Sequence, residues 1–138
     1  MKLGSSALAA LTTVCIAFSV VRVLPSDGAG APAPSFTPDQ ARKGQTLFYE
    51  HCAECHGANL QGQYGPALSG PGGNLQWQPV KQIYAYAVSQ MPAGNAGGLP
   101  PGEYVEIMAF LMQSHGHRPG SKPLTQSAAT TSTAVMGP

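Results

Sequence analysis

Apolar side chains recur at helical spacing in three stretches of this chain, and polar, Gly- and Pro-rich sequence lies between them. In the first stretch Ala41, Gly44, Leu47 and Phe48 form one stripe, opened by Thr37-Pro38-Asp39-Gln40. Thr37 reads as an N-cap, Pro38 as the first helical residue and Gln40 as the partner in a capping box, so a helix is predicted from there to about Glu50. Gly44 in a helix interior costs about 1 kcal/mol against alanine. That cost points to a close crossing by another helix, with an incidental surface glycine as the alternative. Pro79 starts a second helix, Val80 to about Gln90, with Val80, Ile83, Tyr84 and Ala87 on one face. The third runs from Pro101 to about Ser114 and stops before Gly116. Tyr104, Ile107, Met108, Leu111 and Met112 share its main face, and Val105 and Phe110 stand opposite, so it must be enclosed on more than one side.

At 138 residues, with a net charge of +1 and 9% charged residues, the chain fits one small domain with unordered ends and shows no electrostatic bias toward nucleic acid. Its 17 glycines and 13 prolines fit long irregular segments between few helices. Residues 1–34 read as a targeting region. Lys2 precedes an uncharged run from Leu3 to Val21, longer than the apolar core of a signal peptide, about 7 to 15 residues, and near the roughly 20 of a spanning helix. A cleaved signal and a retained membrane anchor therefore both stay open; Pro32 and Pro34 would occupy the first mature position after the small-residue cleavage patterns. Either way residues 35–118 mature outside the cytoplasm, in the periplasm, either soluble or anchored to the inner membrane. Cys15 reads as apolar filler, and Ala29 to Ser35 as an extended linker. Residues 119–138, with Ser-Ala-Ala-Thr-Thr-Ser-Thr, read as a disordered low-complexity tail.

The chemistry concentrates in Cys52-Ala53-Glu54-Cys55-His56. A C-x-x-C-H run is the attachment signature of c-type haem. Two residues between the thiols let both sulfurs reach one porphyrin edge, and the adjacent imidazole then falls under the iron as proximal ligand. The alternatives are a thioredoxin-like dithiol, which needs a βαβ context, and half of a zinc site, which needs a second ligand pair. The sequence offers neither, since Cys15 lies in the N-terminal run and His115 with His117 is poorly spaced. A covalently held apolar cofactor also supplies buried surface that so small a core lacks.

The remaining candidates lie in the irregular segments. From Gly57 to Leu68 no period is sustained, and Pro66 is placed to offer its backbone carbonyl to the second ring nitrogen of His56. The Trp77 indole N–H is in reach of a haem propionate, with a buried structural tryptophan as the alternative. Met91 leaves the second helix into Met91-Pro92-Ala93-Gly94-Asn95, where a soft neutral thioether suits a sixth iron ligand. Its rivals are weaker: Met108 and Met112 sit in a helical pattern as core fillers, Met136 lies in the tail, and His115 and His117 follow the last helix, where histidines usually meet solvent.

Residues 36 to about 118 resemble a class I monohaem cytochrome c. The resemblance is carried by Cys52-Ala-Glu-Cys-His56, Gly65-Pro66, Met91-Pro92 and Tyr104-Val-Glu-Ile-Met-Ala-Phe-Leu111. It implies an all-α cytochrome c fold, three main helices and long loops wrapped around one covalent haem c. It also implies that Gly44 and Phe48 meet Ile107 and Phe110, that the Pro66 carbonyl serves the proximal histidine and that Met91 supplies the distal sulfur. More narrowly, Cys55-His56-Gly57-Ala58-Asn59-Leu60-Gln61-Gly62 and the Met-Pro-Ala-Gly segment are similar to the haem modules of pyrroloquinoline quinone-dependent alcohol or sugar dehydrogenases. Two departures are Pro100, where a polar N-cap is usual, and Phe110, where tyrosine is common.

The function expected is one-electron transfer by an electron carrier rather than an enzyme, as acceptor or subunit of a dehydrogenase. Redox partners would include a quinoprotein dehydrogenase and a terminal oxidase or another cytochrome, and no nucleic acid. A membrane-tethered relay subunit and a gas-binding or peroxidatic cytochrome with an open sixth site are the alternatives. From Ala31 onward Arg42, Lys43, Lys81, Arg118 and Lys122 balance Asp39, Glu50, Glu54, Glu103 and Glu106, so docking is expected to rest on apolar contact around an exposed haem edge.

Overall fold

Thr37 accepts a hydrogen bond from the Gln40 N–H at 3.2 Å, and Gln40 Oε1 accepts one from the Thr37 N–H at 3.3 Å, closing the capping box that starts the first helix. The computed structural model describes residues 31–138 together with Met1, so residues 2–30 of the targeting region predicted at 1–34 lie outside the described residues. The elements in order are α1 (Pro38–His51), α2 (Ala53–His56), α3 (Val80–Gln90), α4 (Pro101–Ser114) and α5 (Gln126–Thr131). Among the described residues there is no strand, only an isolated bridge between Pro79 and Val135. No described helix is long and apolar enough to cross a membrane.

The largest helix interface is that of α1 with α4. Gly44 makes it possible, because a Cβ there would run into the backbone carbonyl of Glu106. The Phe48 and Phe110 rings pack one turn further on, with centroids 5.4 Å apart and planes tilted by 49°. Tyr104 to Met112 on α4 are buried apart from Glu106, as a helix enclosed on several sides requires. Beyond Ser114 the chain ends α4 in a Schellman turn: Gly116 takes a φ of +85°, and the His117 N–H reaches back to the Met112 carbonyl at 3.1 Å.

Two expectations fail in the last quarter of the chain. The segment 119–138, read as disordered, packs on the domain: Leu124, Ala129, Ala134 and Met136 are buried and α5 lies against α3 and α4. The reason lies at the start of α3, which has no side-chain cap. The first N–H groups of a helix need outside acceptors. The Ala134 carbonyl takes the Val80 N–H at 2.8 Å and the Ser132 carbonyl takes the Lys81 N–H at 3.1 Å. Met136 exchanges backbone bonds with Trp77 and Gln78, and the Gln40 side chain grips Leu124 through both its N–H and its carbonyl. His115, expected in solvent, is 2% exposed. Its Nδ1 lies 2.8 Å from the Leu111 carbonyl and its Nε2 3.0 Å from the Leu68 carbonyl, which ties the end of α4 to the loop after α2.

Candidate functional site

The end of α1 runs directly into the cysteine pair. Cys52 closes α1 through its N–H to the Phe48 carbonyl at 2.8 Å, and its own carbonyl opens α2 by accepting from the His56 N–H at 2.9 Å. Cys52 and Cys55 therefore stand one helical turn apart, with His56 next in line. Both thiols are free and partly buried. Before haem attachment, burial, and secondarily the neighbouring Cys55, pushes the Cys52 thiol up to about 11.

The following loop folds back on this short helix instead of leaving it. The Cys55 carbonyl accepts from the N–H groups of Gln63 at 3.0 Å and Gly65 at 2.8 Å, and the His56 carbonyl from Gly62 at 2.8 Å. The turn delivers the Pro66 carbonyl to 2.9 Å from His56 Nδ1. A carbonyl can only accept, so Nδ1 carries the proton and Nε2 keeps its lone pair free for a metal. Gly65 packs tightly beside the ring: a Cβ there would stand 3.1 Å from Cε1 and 3.2 Å from Nδ1. Two thiols, an imidazole with Nε2 free and His56 itself largely buried are the donor set a covalent haem needs.

Met91 is the C-cap of α3, its N–H bonded to the Ala87 carbonyl at 3.0 Å. The Met91 carbonyl accepts from the Tyr104 hydroxyl at 2.6 Å and from the Gly97 N–H at 3.2 Å. Periodicity marked Tyr104 for burial, but the partner of its hydroxyl lies thirteen residues away and had no signal in the sequence. The rival methionines Met108, Met112 and Met136 are fully enclosed, the first two as core fillers in α4.

On α3, Tyr84 is buried while its hydroxyl has no hydrogen-bond partner among the described residues. An orphaned buried hydroxyl on the face expected to meet the macrocycle fits a cavity completed by a bound group. Trp77 is 63% exposed with a φ of +63°. Among the described residues no group of three or more His, Cys, Asp or Glu side chains gathers to hold a metal ion.

The family model for cytochrome c oxidase, cbb3-type, subunit III, matches residues 39–111. The chain belongs to this cytochrome c family. With membership comes covalently bound haem c, which the cysteine pair and His56 fit. The cytochrome is 33% identical over 60 residues to cytochrome c-551 of Bacillus subtilis, covering 44% of this chain and 54% of that protein. It is 31% identical over 86 residues to the thiosulfate dehydrogenase of Psychrobacter arcticus, covering 55% of this chain and 26% of that protein. It therefore spans about half the length of one curated relative and about a quarter of the other. Among solved structures, a chain of the sulfane dehydrogenase SoxCD from Paracoccus pantotrophus superposes with a TM-score of 0.56 at 26% identity, over 78% of this cytochrome and 68% of that chain. The all-α cytochrome c fold and the role of electron carrier follow from these likenesses together.

Proposed function

We propose that this cytochrome carries single electrons through a haem c joined to Cys52 and Cys55 and ligated by His56 and Met91, acting outside the cytoplasm as acceptor or subunit of a dehydrogenase. The observation that carries the reading is the His56–Pro66 pair, because it leaves Nε2 as the one metal-binding nitrogen of a buried, oriented ring. Bound haem supplies the ferric/ferrous couple; the protein supplies position and environment. Cys52 and Cys55 would hold the group covalently, and His56, oriented by the Pro66 carbonyl, would ligate its iron. Met91 offers a soft sulfur that favours the ferrous state, on a backbone fastened at both its N–H and its carbonyl. With His56 and Met91 both holding the iron, no site on it would be left for substrate, and the protein would act as a carrier rather than an enzyme.

The dehydrogenase partner is supported by two relatives named for dehydrogenation of sulfur compounds, while a membrane-tethered relay subunit rests on the uncharged run from Leu3 to Val21 alone. A quinoprotein partner rests on the sequence segments alone. The test uses haem-loaded protein from a host that attaches haem c. Low-spin spectra in both oxidation states and no carbon monoxide adduct are expected, with Met91→Ala becoming high-spin and open to carbon monoxide. An unchanged spectrum in Met91→Ala would overturn the Met91 assignment, and carbon monoxide binding by the wild type would favour a gas-binding cytochrome.

A further inference from the structure

Tyr104 is 4% exposed on α4, yet its hydroxyl reaches out of the core to the loop after α3. It donates to the Met91 carbonyl at 2.6 Å and accepts from the Leu99 N–H at 3.5 Å, so one phenol oxygen ties both ends of the 91–99 segment to α4. Filling the core requires only the ring; the two bonds require the hydroxyl.

We propose that Tyr104 is the positioning residue for the distal ligand: it fixes the backbone from which the Met91 thioether reaches iron. This rests on Met91 being that ligand. A methionine side chain has three rotatable bonds and sets its sulfur precisely only if its backbone is fixed. The place of α4 is in turn set two residues further on, where the Glu106 carbonyl crosses Gly44 of α1. The same α1 ends at Cys52. One helix crossing thereby controls both the attachment side of the site and the loop that carries Met91, with Tyr104 as the link to the second. Without the hydroxyl, the Met91 carbonyl keeps only the longer bond from Gly97.

The test follows imidazole binding to the ferric haem-loaded protein, which requires Met91 to leave. Tyr104→Phe keeps the ring and is expected to bind imidazole about tenfold faster, the factor that about 1.4 kcal/mol gives and the scale of one hydrogen bond. Its thermal midpoint, read on the same sample, is expected to move by only a few degrees. Met91→Ala separates the two claims. If Met91→Ala is fast and Tyr104→Phe matches the wild type, Met91 stands as ligand and the role of Tyr104 is overturned. If Met91→Ala is as slow as the wild type, the ligand assignment falls and this proposal with it. Should Tyr104→Phe not yield haem-loaded protein, proton NMR of the diamagnetic ferrous wild type decides: a slowly exchanging Tyr104 hydroxyl proton supports the tether, and a freely exchanging one overturns it.

Discussion

The Pro66 carbonyl stands 2.9 Å from Nδ1 of His56, and Gly65 lies so near the ring that even a methyl group would touch it. Gly65→Ala is therefore expected to push the imidazole by a few tenths of an ångström and lengthen the bond to Pro66. A weaker acceptor at Nδ1 makes Nε2 a poorer electron donor. The reduction potential should rise, by something on the order of 30 mV, about half a decade in a one-electron equilibrium. Protein-film voltammetry of the variant measures it, and a potential at or below that of the wild type would contradict the orientation argument.

Gly44 and Gly102 offer a paired test of the helix crossing. A Cβ at Gly44 meets the Glu106 backbone, which no rotamer change relieves, whereas a Cβ at Gly102 meets nothing within 4 Å. Gly44→Ala should cost about 3 kcal/mol by overpacking. Gly102→Ala, in the first turn of α4, should gain about 0.5 kcal/mol from the smaller loss of backbone freedom. Guanidinium unfolding of both variants in the haem-loaded state reads the two signs, and equal effects would mean that the crossing is looser than the structure has it.

How much of this was legible depended on how local each signal was. The bounds of α1, α3 and α4 could be read because Thr37, Pro38, Pro79, Pro101 and Gly116 punctuate the chain within a residue or two of where the helices start and stop. The His56–Pro66 pair spans ten residues, yet the loop after His56 already brings Pro66 within reach and the family resemblance points to the same carbonyl. The C-terminal segment reads as disordered because composition hides its role. Its anchors Leu124, Ala129, Ala134 and Met136 are single apolar residues among Ser and Thr, and its carbonyls serve the α3 N–H groups more than fifty residues earlier. His115 failed for the same reason, since one of its acceptors, the Leu68 carbonyl, is distant in sequence. Pairings of this kind leave no periodicity to find.

The packed C-terminus carries its own expectation. Met136 is fully buried and bracketed by backbone bonds to Trp77 and Gln78. Met136→Ala should destabilise the haem-loaded protein by about 2–4 kcal/mol through the cavity it leaves. Met1 aside, a terminal methionine in a disordered tail would cost nothing. Chemical denaturation distinguishes the two outcomes, and a change below about 0.5 kcal/mol would return residues 119–138 to the disordered reading.

Electron exchange with a partner should respond weakly to salt. From Ala31 onward the positive and negative side chains balance, and two of each form the exposed Arg42–Asp39 pair at 2.9 Å and the looser Lys43–Glu106 pair at 3.8 Å. Little long-range field is left to steer an encounter. Raising ionic strength from about 0.01 M to 0.15 M, which shortens the screening length from about 30 Å to 8 Å, should change the second-order rate less than about threefold. Stopped-flow mixing with a redox partner checks this, and a tenfold fall would show that a charged patch guides docking.

Tyr84 sets an alkaline limit on the fold. Its hydroxyl is enclosed without a partner among the described residues, and burial first, then the nearby Tyr104, raises it above the ordinary value of 10.0. The folded chain thus holds this proton more tightly than the unfolded one. Below pH 10 both states are protonated and the group contributes its full share. As pH rises through 10 the unfolded state ionises first, so stability falls with pH until the folded-state phenol also titrates. Thermal midpoints of the haem-loaded protein should decline across that window, and Tyr84→Phe, which has no proton to lose, should flatten the decline. An equally steep decline in Tyr84→Phe would assign the alkaline loss to another group.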